Sequence, residues 1–530
     1  MPLDSSTRAF AWPAIFTHPR VLRAEDQTYL EFLRENKVVF DDSDDESSSD
    51  EFDSDPDPGE VEDNVVEGSS SSSPASSGGN VVEEPDTRHP VRLFMQPTID
   101  GNGMGKQRLD QEQVVSEFCE YAAKQPRDPS QEDDFIAVID IRSNAKPGSG
   151  EVSSLTGIAK PQRGGLTACQ LSEELGIKEF SVPQGGSATN EENSSKSPTV
   201  GAHRELISLP DMGEPGMRVL AECASERERG ALARFFYDHL QFSPSVDAAV
   251  TTQGFPKFAF HLNVPFIVFR RHKKLREDVR MKPGAPTARP LRRSWSAACL
   301  RAPSLTDEDS PMACFYEAQA SIMLFGLDNR VYKVYGTIDT YYQPKSKHSV
   351  EAYHRDYKES NGERMWDPFS RRSREVNRPI WDSRHYFLSV WAGYLEQASR
   401  EWDEVTTVMK EAMNQRRKTP HVTGNYVKDL DTWTEEMLDL LNVLIEPLSE
   451  TTAVWKEFEN CDLGYFVSND DEEKTILLQQ IKKVYSGLRL KLTSLNSLRD
   501  ELKSTHRHKV HHSGLRPRPP SCLNDAADSR

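Results

Sequence analysis

Four stretches hold residue types whose spacing could do chemistry. Asp100 to Gln107 reads DGNGMGKQ, a glycine-rich turn ahead of a helical pattern. A phosphate-cradling loop needs GxxxxGK followed by Ser or Thr, so that backbone amides hold phosphate and a hydroxyl holds its metal. Here Gln107 follows Lys106, and the dinucleotide spacing GxGxxG is not met either, so an ordinary loop is expected. His348, Glu351 and His354 invite a metal reading, but steps of three and six do not bring all three to one helix face, and HExxH is not formed. His506 to His512, HRHKVHH, could hold a transition metal loosely through neutral imidazoles, although in a basic tail such clusters are more often adventitious. Ser43, Ser47, Ser48 and Ser54 each have an acidic residue three positions on, like targets of an acidophilic kinase, and a plain solvating linker is the alternative. GxSxG is missing. No catalytic or cofactor-binding residue is assigned, no metal ligand is identified, and an enzyme is not expected.

Composition narrows the classes. The 530 residues carry a net charge of −19, which disfavours a general nucleic-acid binder, because phosphate attraction needs a basic surface. Hydrophobic residues are 36% and charged residues 28%, the balance of a chain with a large disordered fraction. Cys119, Cys169, Cys223, Cys299, Cys314, Cys461 and Cys522 are scattered and form no CxxC. Neither a disulfide framework nor a zinc ribbon is expected, and free thiols in a reducing compartment fit. The opening MPLDSSTRAFAWPAIF lacks the basic-then-apolar order of a signal peptide. The longest nearly apolar run, Phe258 to Phe269, includes His261, Asn263 and Pro265 and is far shorter than the roughly 20 residues of a membrane helix. A soluble, cytoplasmic chain is therefore expected.

The elements that must position any site follow from period and punctuation. Residues 1–88 include the Asp/Glu/Ser tract around Asp41 to Asp63, which has too little to bury to offset its ordering entropy; an acidic disordered region is expected there. A mixed α/β, sandwich-like domain is expected over 89–378, with mobile insertions at about 143–165, 183–202 and 273–311. Within it VRLFMQP reads as a strand, Leu109 to Lys124 as a helix and Asp134 to Arg142 as a strand. Thr167 caps a helix that Gly176 ends, HRELISLP is a strand, and Leu232, Phe235, Phe236 and Leu240 share one face of a helix. Strands follow around a turn at Gly254 to Pro256, and two apolar stretches split at Gly326 to Asn329 read as a hairpin.

After Pro379 the period changes to threes and fours. Three long helices are expected over 379–503, the second with a kink at Pro447. The last presents a near-heptad seam of Leu477, Ile481, Val484, Leu488, Leu495, Leu498 and Leu502, interrupted by Lys491, and is coiled-coil-prone. These seam residues are candidates for self-association. The class is α+β with a stalk-like C-terminal part, followed by a disordered basic tail over 504–530.

The strings FYEAQASIMLFGLDNRVYKVYGTIDTYY and RPIWDSRHYFLSVWAGYLEQASREWDEV resemble a group of fungal proteins related to the CorA magnesium-transporter family. The group's marks are Tyr316 to Gln319 in the hairpin, Asp339 to Tyr341 after it, and Pro379 to Asp382 opening the helical part; the resemblance covers about 200 to 502. It implies a cytoplasmic α/β sandwich, long stalk helices running into two transmembrane helices, a pentamer, and a Gly-Met-Asn pore motif with magnesium as the ion. This sequence departs from it, with no apolar span and no Gly-Met-Asn, and its seam helix is expected to stop near Ser504. A truncated or mis-spliced form and a soluble derivative both fit that ending.

The resemblance implies a non-enzymatic module like the cytoplasmic domain of a CorA-like transporter, able to self-associate, and conducting ions only with a membrane part or a full-length relative. No cofactor is expected beyond the magnesium that the family implies. The alternative is a cytosolic scaffold protein with a phosphorylated acidic tail and a helical partner-binding face.

Overall fold

The computed structural model describes residues 11–17, 90–95, 105–125, 134–145, 163–176, 200–253, 256–284, 287–300, 311–343, 366–370, 374–375, 378–418, 425–467 and 471–513. All belong to one compact unit, Met1–Pro19 with His89–Arg530; the second unit, Arg20–Arg88, holds no described residue.

The helices are α1 Pro90–Met95, α2 Gly105–Lys124, α3 Ala168–Gly176, α4 Glu214–Cys223, α5 Glu226–Gln241, α6 Ser383–Lys418, α7 Asn425–Cys461 and α8 Glu472–Ser513. The strands are β1 Ala137–Ala145, β2 Arg163–Leu166, β3 Val200–Ser208, β4 Ser245–Thr251, β5 Lys257–His272, β6 Met281–Lys282, β7 Arg289–Pro290, β8 Ser294–Ser296, β9 Met312–Asp328 and β10 Val331–Ile338. Eight strands form one sheet in the order β2-β1-β3-β10-β9-β5-β4, with β8 beside β9; only the β3–β10 pairing is parallel. The class is α+β, as the sequence implies.

Alternation along the central strands makes two cores. Phe258, Phe260, Leu262 and Val264 of β5 join Ile322 and Leu324 of β9 on one face, against α6, α7 and α8. Ala259, Met323, Phe325 and Tyr335 face α1, α2, α4 and α5 on the other. With both faces covered, β5 and β9 are buried along almost their whole length, which is why they read as continuous apolar runs. Two glycines admit aromatic rings: a Cβ at Gly326 would lie 2.2 Å from Phe258, and one at Gly336 would lie 2.2 Å from Phe369.

Helix ends follow their capping chemistry. Ser225 and Glu228 form a capping box on α5, and Thr167 and Gln170 exchange hydrogen bonds at the start of α3.

Several expectations change. The described part of VRLFMQP, Val91 to Met95, is not a strand; Pro90–Met95 is helical, and Val91 and Met95, four apart, are both buried. Residues 273–284 and 287–300 are not a loose insertion, because β6 to β8 run through them and Arg280 and Arg292 anchor them in buried ion pairs. The flanks of the other two insertions are paired strand: β1 runs to Ala145, β2 starts at Arg163 and β3 at Val200. The last helix does not stop near Ser504 but continues to Ser513. One continuous core also crosses position 378/379, where the sequence suggests a domain boundary.

Candidate functional site

Two of the resemblance strings meet in a buried polar lattice at the mouth of the β9–β10 hairpin. Asp339, just past β10, has no exposed surface. One carboxylate oxygen accepts from Arg292 Nε at 2.7 Å and from the Gln319 backbone N–H at 2.8 Å; the other accepts from an Arg280 guanidinium nitrogen at 2.8 Å. The Asp339 N–H donates to the Gln319 carbonyl at 3.0 Å. Arg280 also forks onto Asp278 at 2.9 and 2.7 Å, and Arg292 donates to the His239 carbonyl on α5 at 2.8 Å. Gln319 Nε2 donates to Ser321 Oγ at 2.9 Å and Asn263 Oδ1 at 3.2 Å. The Tyr341 hydroxyl donates to the Glu317 carbonyl at 2.9 Å.

Above the lattice lies a groove of about 920 Å³, whose lining includes Leu209, Asp211, Met212, Arg280 and Tyr341. Asp211 has a left-handed backbone, φ 50°, which Asp tolerates better than most residues. Its carboxylate accepts from the Thr340 and Tyr341 N–H groups at 2.7 and 3.2 Å, and from the Thr340 hydroxyl.

The electrostatics follow from who is paired. Burial alone would raise the Asp339 carboxyl, but the Arg292 and Arg280 guanidiniums hold it below the usual carboxylate range. Burial pushes Asp211 up to about 6, with Asp339 adding to the rise and Arg280 and Thr340 opposing it. His239 is driven well below its ordinary value by burial and then by Arg292, so its ring is neutral.

Ser321, His239 and Asp339 superficially form a hydrolase triad. Ser321 Oγ lies 3.1 Å from His239 Nδ1, and His239 Nε2 lies 3.8 Å from Asp339. All three are fully buried, the second separation is too long for a hydrogen bond, and Asp339 is already held by two arginines. With no route for a substrate to the hydroxyl, the trio is packing chemistry. Among the described residues, no group of three or more His, Cys, Asp or Glu side chains is placed to hold a metal ion.

Two further joints tie the sheet to the helices. Arg204 on β3 bridges Asp140 at 3.1 Å and Asp367 at 3.3 Å, and Tyr386 on α6 donates to Asp367 at 2.9 Å. Asp382, from the Pro379 to Asp382 string, caps α6 through the His385 N–H at 2.8 Å and accepts from Lys474 of α8 at 3.0 Å.

The seam residues sit inside this chain's own core: Ile481, Leu488, Leu495 and Leu502 are buried, and Leu477, Val484 and Leu498 pack half-buried beside them. Lys491, the fault in the seam, reaches Ser399 at 2.8 Å and Asp403 at 3.1 Å on α6. Ser43, Ser47, Ser48, Ser54, His348, Glu351 and His354 lie outside the described residues, as do the His508, His511 and His512 side chains. Gly105 to Gln107 open α2. Sequence reading assigned no role to Arg280, Arg292, His239 or Asp211; the partners of Asp339 lie 59 and 47 positions away, beyond any local pattern.

The fold and site together define a class, an α+β sandwich clasped by buried ion pairs and followed by three long helices, the last of 42 residues. No family model matches the chain, and no curated protein matches it. Solved structures similar to it include these two. One is the ZntB cytoplasmic domain from Vibrio parahaemolyticus, at 10% identity and TM-score 0.26, covering 58% of this chain and 92% of that one. The other is the full-length CmaX protein, at 9% identity and TM-score 0.30, covering 74% and 82%. At those values neither likeness fixes a family or an activity. Among the described residues no helix is long and apolar enough to cross a membrane.

Proposed function

We propose that this chain is a non-enzymatic, cytosolic module of the kind that forms the cytoplasmic part of CorA-like divalent-cation transporters, working through assembly and not through catalysis. The observation that carries the reading is where the resemblance strings fall. Tyr316 to Gln319 and Asp339 to Tyr341 bond to each other across the hairpin mouth, and Asp382 fixes the start of α6 to α8. The first two strings thus lock the hairpin to the 273–300 stretch and α5, and Pro379 to Asp382 marks a joint where the long helices leave the sandwich. The absence of catalysis is supported by the same lattice, whose charges are spent on one another.

Light scattering of the purified full chain, with several millimolar magnesium and then with EDTA, tests this. An oligomer that forms with magnesium and falls apart in EDTA is the expected result. A monomer under both conditions removes the transporter-module reading and leaves the scaffold reading in its place.

A further inference from the structure

The N-terminal residues 11–17 lie on the body of the fold although 71 positions separate Thr17 from the next part of that unit at His89. Their contacts are specific. Phe16 has no exposed surface. Its ring meets Phe258 edge-on at 5.2 Å, and Trp12 meets Phe258 edge-on at 5.0 Å and Phe260 at 5.9 Å. The Arg384 guanidinium sits 4.7 Å from the Trp12 ring, a cation–π contact. The Asn329 N–H donates to the Phe16 carbonyl at 2.9 Å. Pro13 opens the short 3-10 turn Ala14–Phe16, which sets Trp12 and Phe16 on the same side. Gly326, opposite Phe258 in the sheet, gives the Phe258 ring its room.

We propose that this surface is a peptide-docking slot, built by Phe258, Phe260, Asn329 and Arg384, for an aromatic-anchored segment of the pattern Trp-Pro-x-x-Phe, and that the chain's own N-terminus is its tethered occupant. Two buried aromatic anchors, one cation above a ring and one backbone hydrogen bond are the means by which short peptides are held. The tether makes the docking intramolecular, so the segment stays seated at an affinity that would be weak for a free peptide.

The slot has a mechanical position. Asn329, which grips Phe16, also accepts from the Ser383 N–H at 2.9 Å and from the Ser383 hydroxyl at 3.1 Å, at the first residue of α6. Arg384 is the next residue of that helix and donates to the Tyr465 carbonyl at 3.2 Å. An occupant therefore touches the hairpin turn and the root of the long helices at once, and exchange of occupants acts on that joint.

The test uses the full chain with a specific protease site inserted between Gly78 and Gly79. Before cleavage the tethered segment is expected to keep a labelled synthetic peptide of residues 9–19 out of the slot. After cleavage that peptide is expected to bind with a Kd on the order of 100 µM, the weak range left to two anchors after ordering costs. The same peptide carrying W12A and F16A is expected not to bind, while the cleaved protein keeps its far-UV dichroism. Equal binding before and after cleavage, equal binding of the doubly substituted peptide, or no binding of the unsubstituted one at millimolar concentration would each overturn the proposal.

Discussion

A carboxylate with no exposed surface survives at Asp339 because two guanidiniums and a backbone amide replace the water it lost. Asp211, at the edge of the same cluster, is less well compensated, since its nearest guanidinium nitrogen is 3.8 Å away and its other donors are neutral. Its raised value, about 6, means that the folded state binds the Asp211 proton more tightly than the unfolded chain does. The stability this confers is full below the unfolded value near 4 and is lost as pH rises through about 6, by at most about 3 kcal/mol. Asp211→Asn, which tolerates the left-handed backbone and keeps an acceptor for the Thr340 amide, should remove that loss. Urea midpoints at pH 4.5 and 7 for both proteins check it. Burial drives the His261 ring down to about 3, so that histidine loses stability in the opposite direction, as pH falls below its ordinary value. The difference between wild type and variant therefore isolates Asp211, and parallel pH curves would refute its assignment. None of this was legible locally: Asp211 is one of many acidic residues, and what distinguishes it is Arg280 and Thr340, brought in by the fold.

At the scale of elements, the patterns that depend on neighbours a few residues away were readable, and those that depend on distant partners were not. The period of threes and fours marks α6, α7 and α8, and the apolar runs mark β5 and the hairpin, because alternation and helical spacing are local consequences of which face is buried. The 273–300 stretch failed as a reading because basic, Pro-rich composition suggests solvent, whereas Arg292 is fully buried against a counter-ion, Asp339, 47 positions away. VRLFMQP failed because seven residues fit either period, and packing of Val91 and Met95 on other helices decided for the helix. The α8 seam was legible, but its destination was not. Leu488 is fully buried in this chain, while Leu490, two positions on, is 73% exposed. Leu488→Ala should therefore lower stability by about 2–5 kcal/mol, and Leu490→Ala should change it by no more than about 0.5 kcal/mol. Thermal unfolding at two protein concentrations checks both. A large effect at Leu490, growing with concentration, would mean that the solvent-facing side of α8 is the energetically important one.

For the whole molecule, the question is whether the sandwich and the long helices are separate domains. The sequence suggests so, since composition and period change together near Pro379. Packing says otherwise. Phe260 of the sheet lies 5.3 Å from Phe387 on α6 and 4.8 Å from Phe466 beyond α7, and Trp391, Trp455, Phe458 and Tyr485 extend the same aromatic cluster through all three helices. The sheet face that carries Phe258, Phe260, Leu262, Val264, Ile322 and Leu324 is covered by these helices, with Trp12 and Phe16 beside them over Phe258 and Phe260, so the helices form one wall of the sheet's core. Shared cores unfold together. Trp391, Trp402, Trp433 and Trp455 lie in the helices and Trp12, Trp295, Trp366 and Trp381 outside them, so tryptophan fluorescence samples both parts, as far-UV dichroism does. In urea the two signals should trace one coincident transition. Phe260→Ala, which removes the ring at the centre of the junction, should shift both curves equally, by about 3–5 kcal/mol. Two separated transitions, with only one of them moved by Phe260→Ala, would mean that the helices hold themselves together without the sheet, and the joints at Asp367 and Asp382 would then connect two independent bodies.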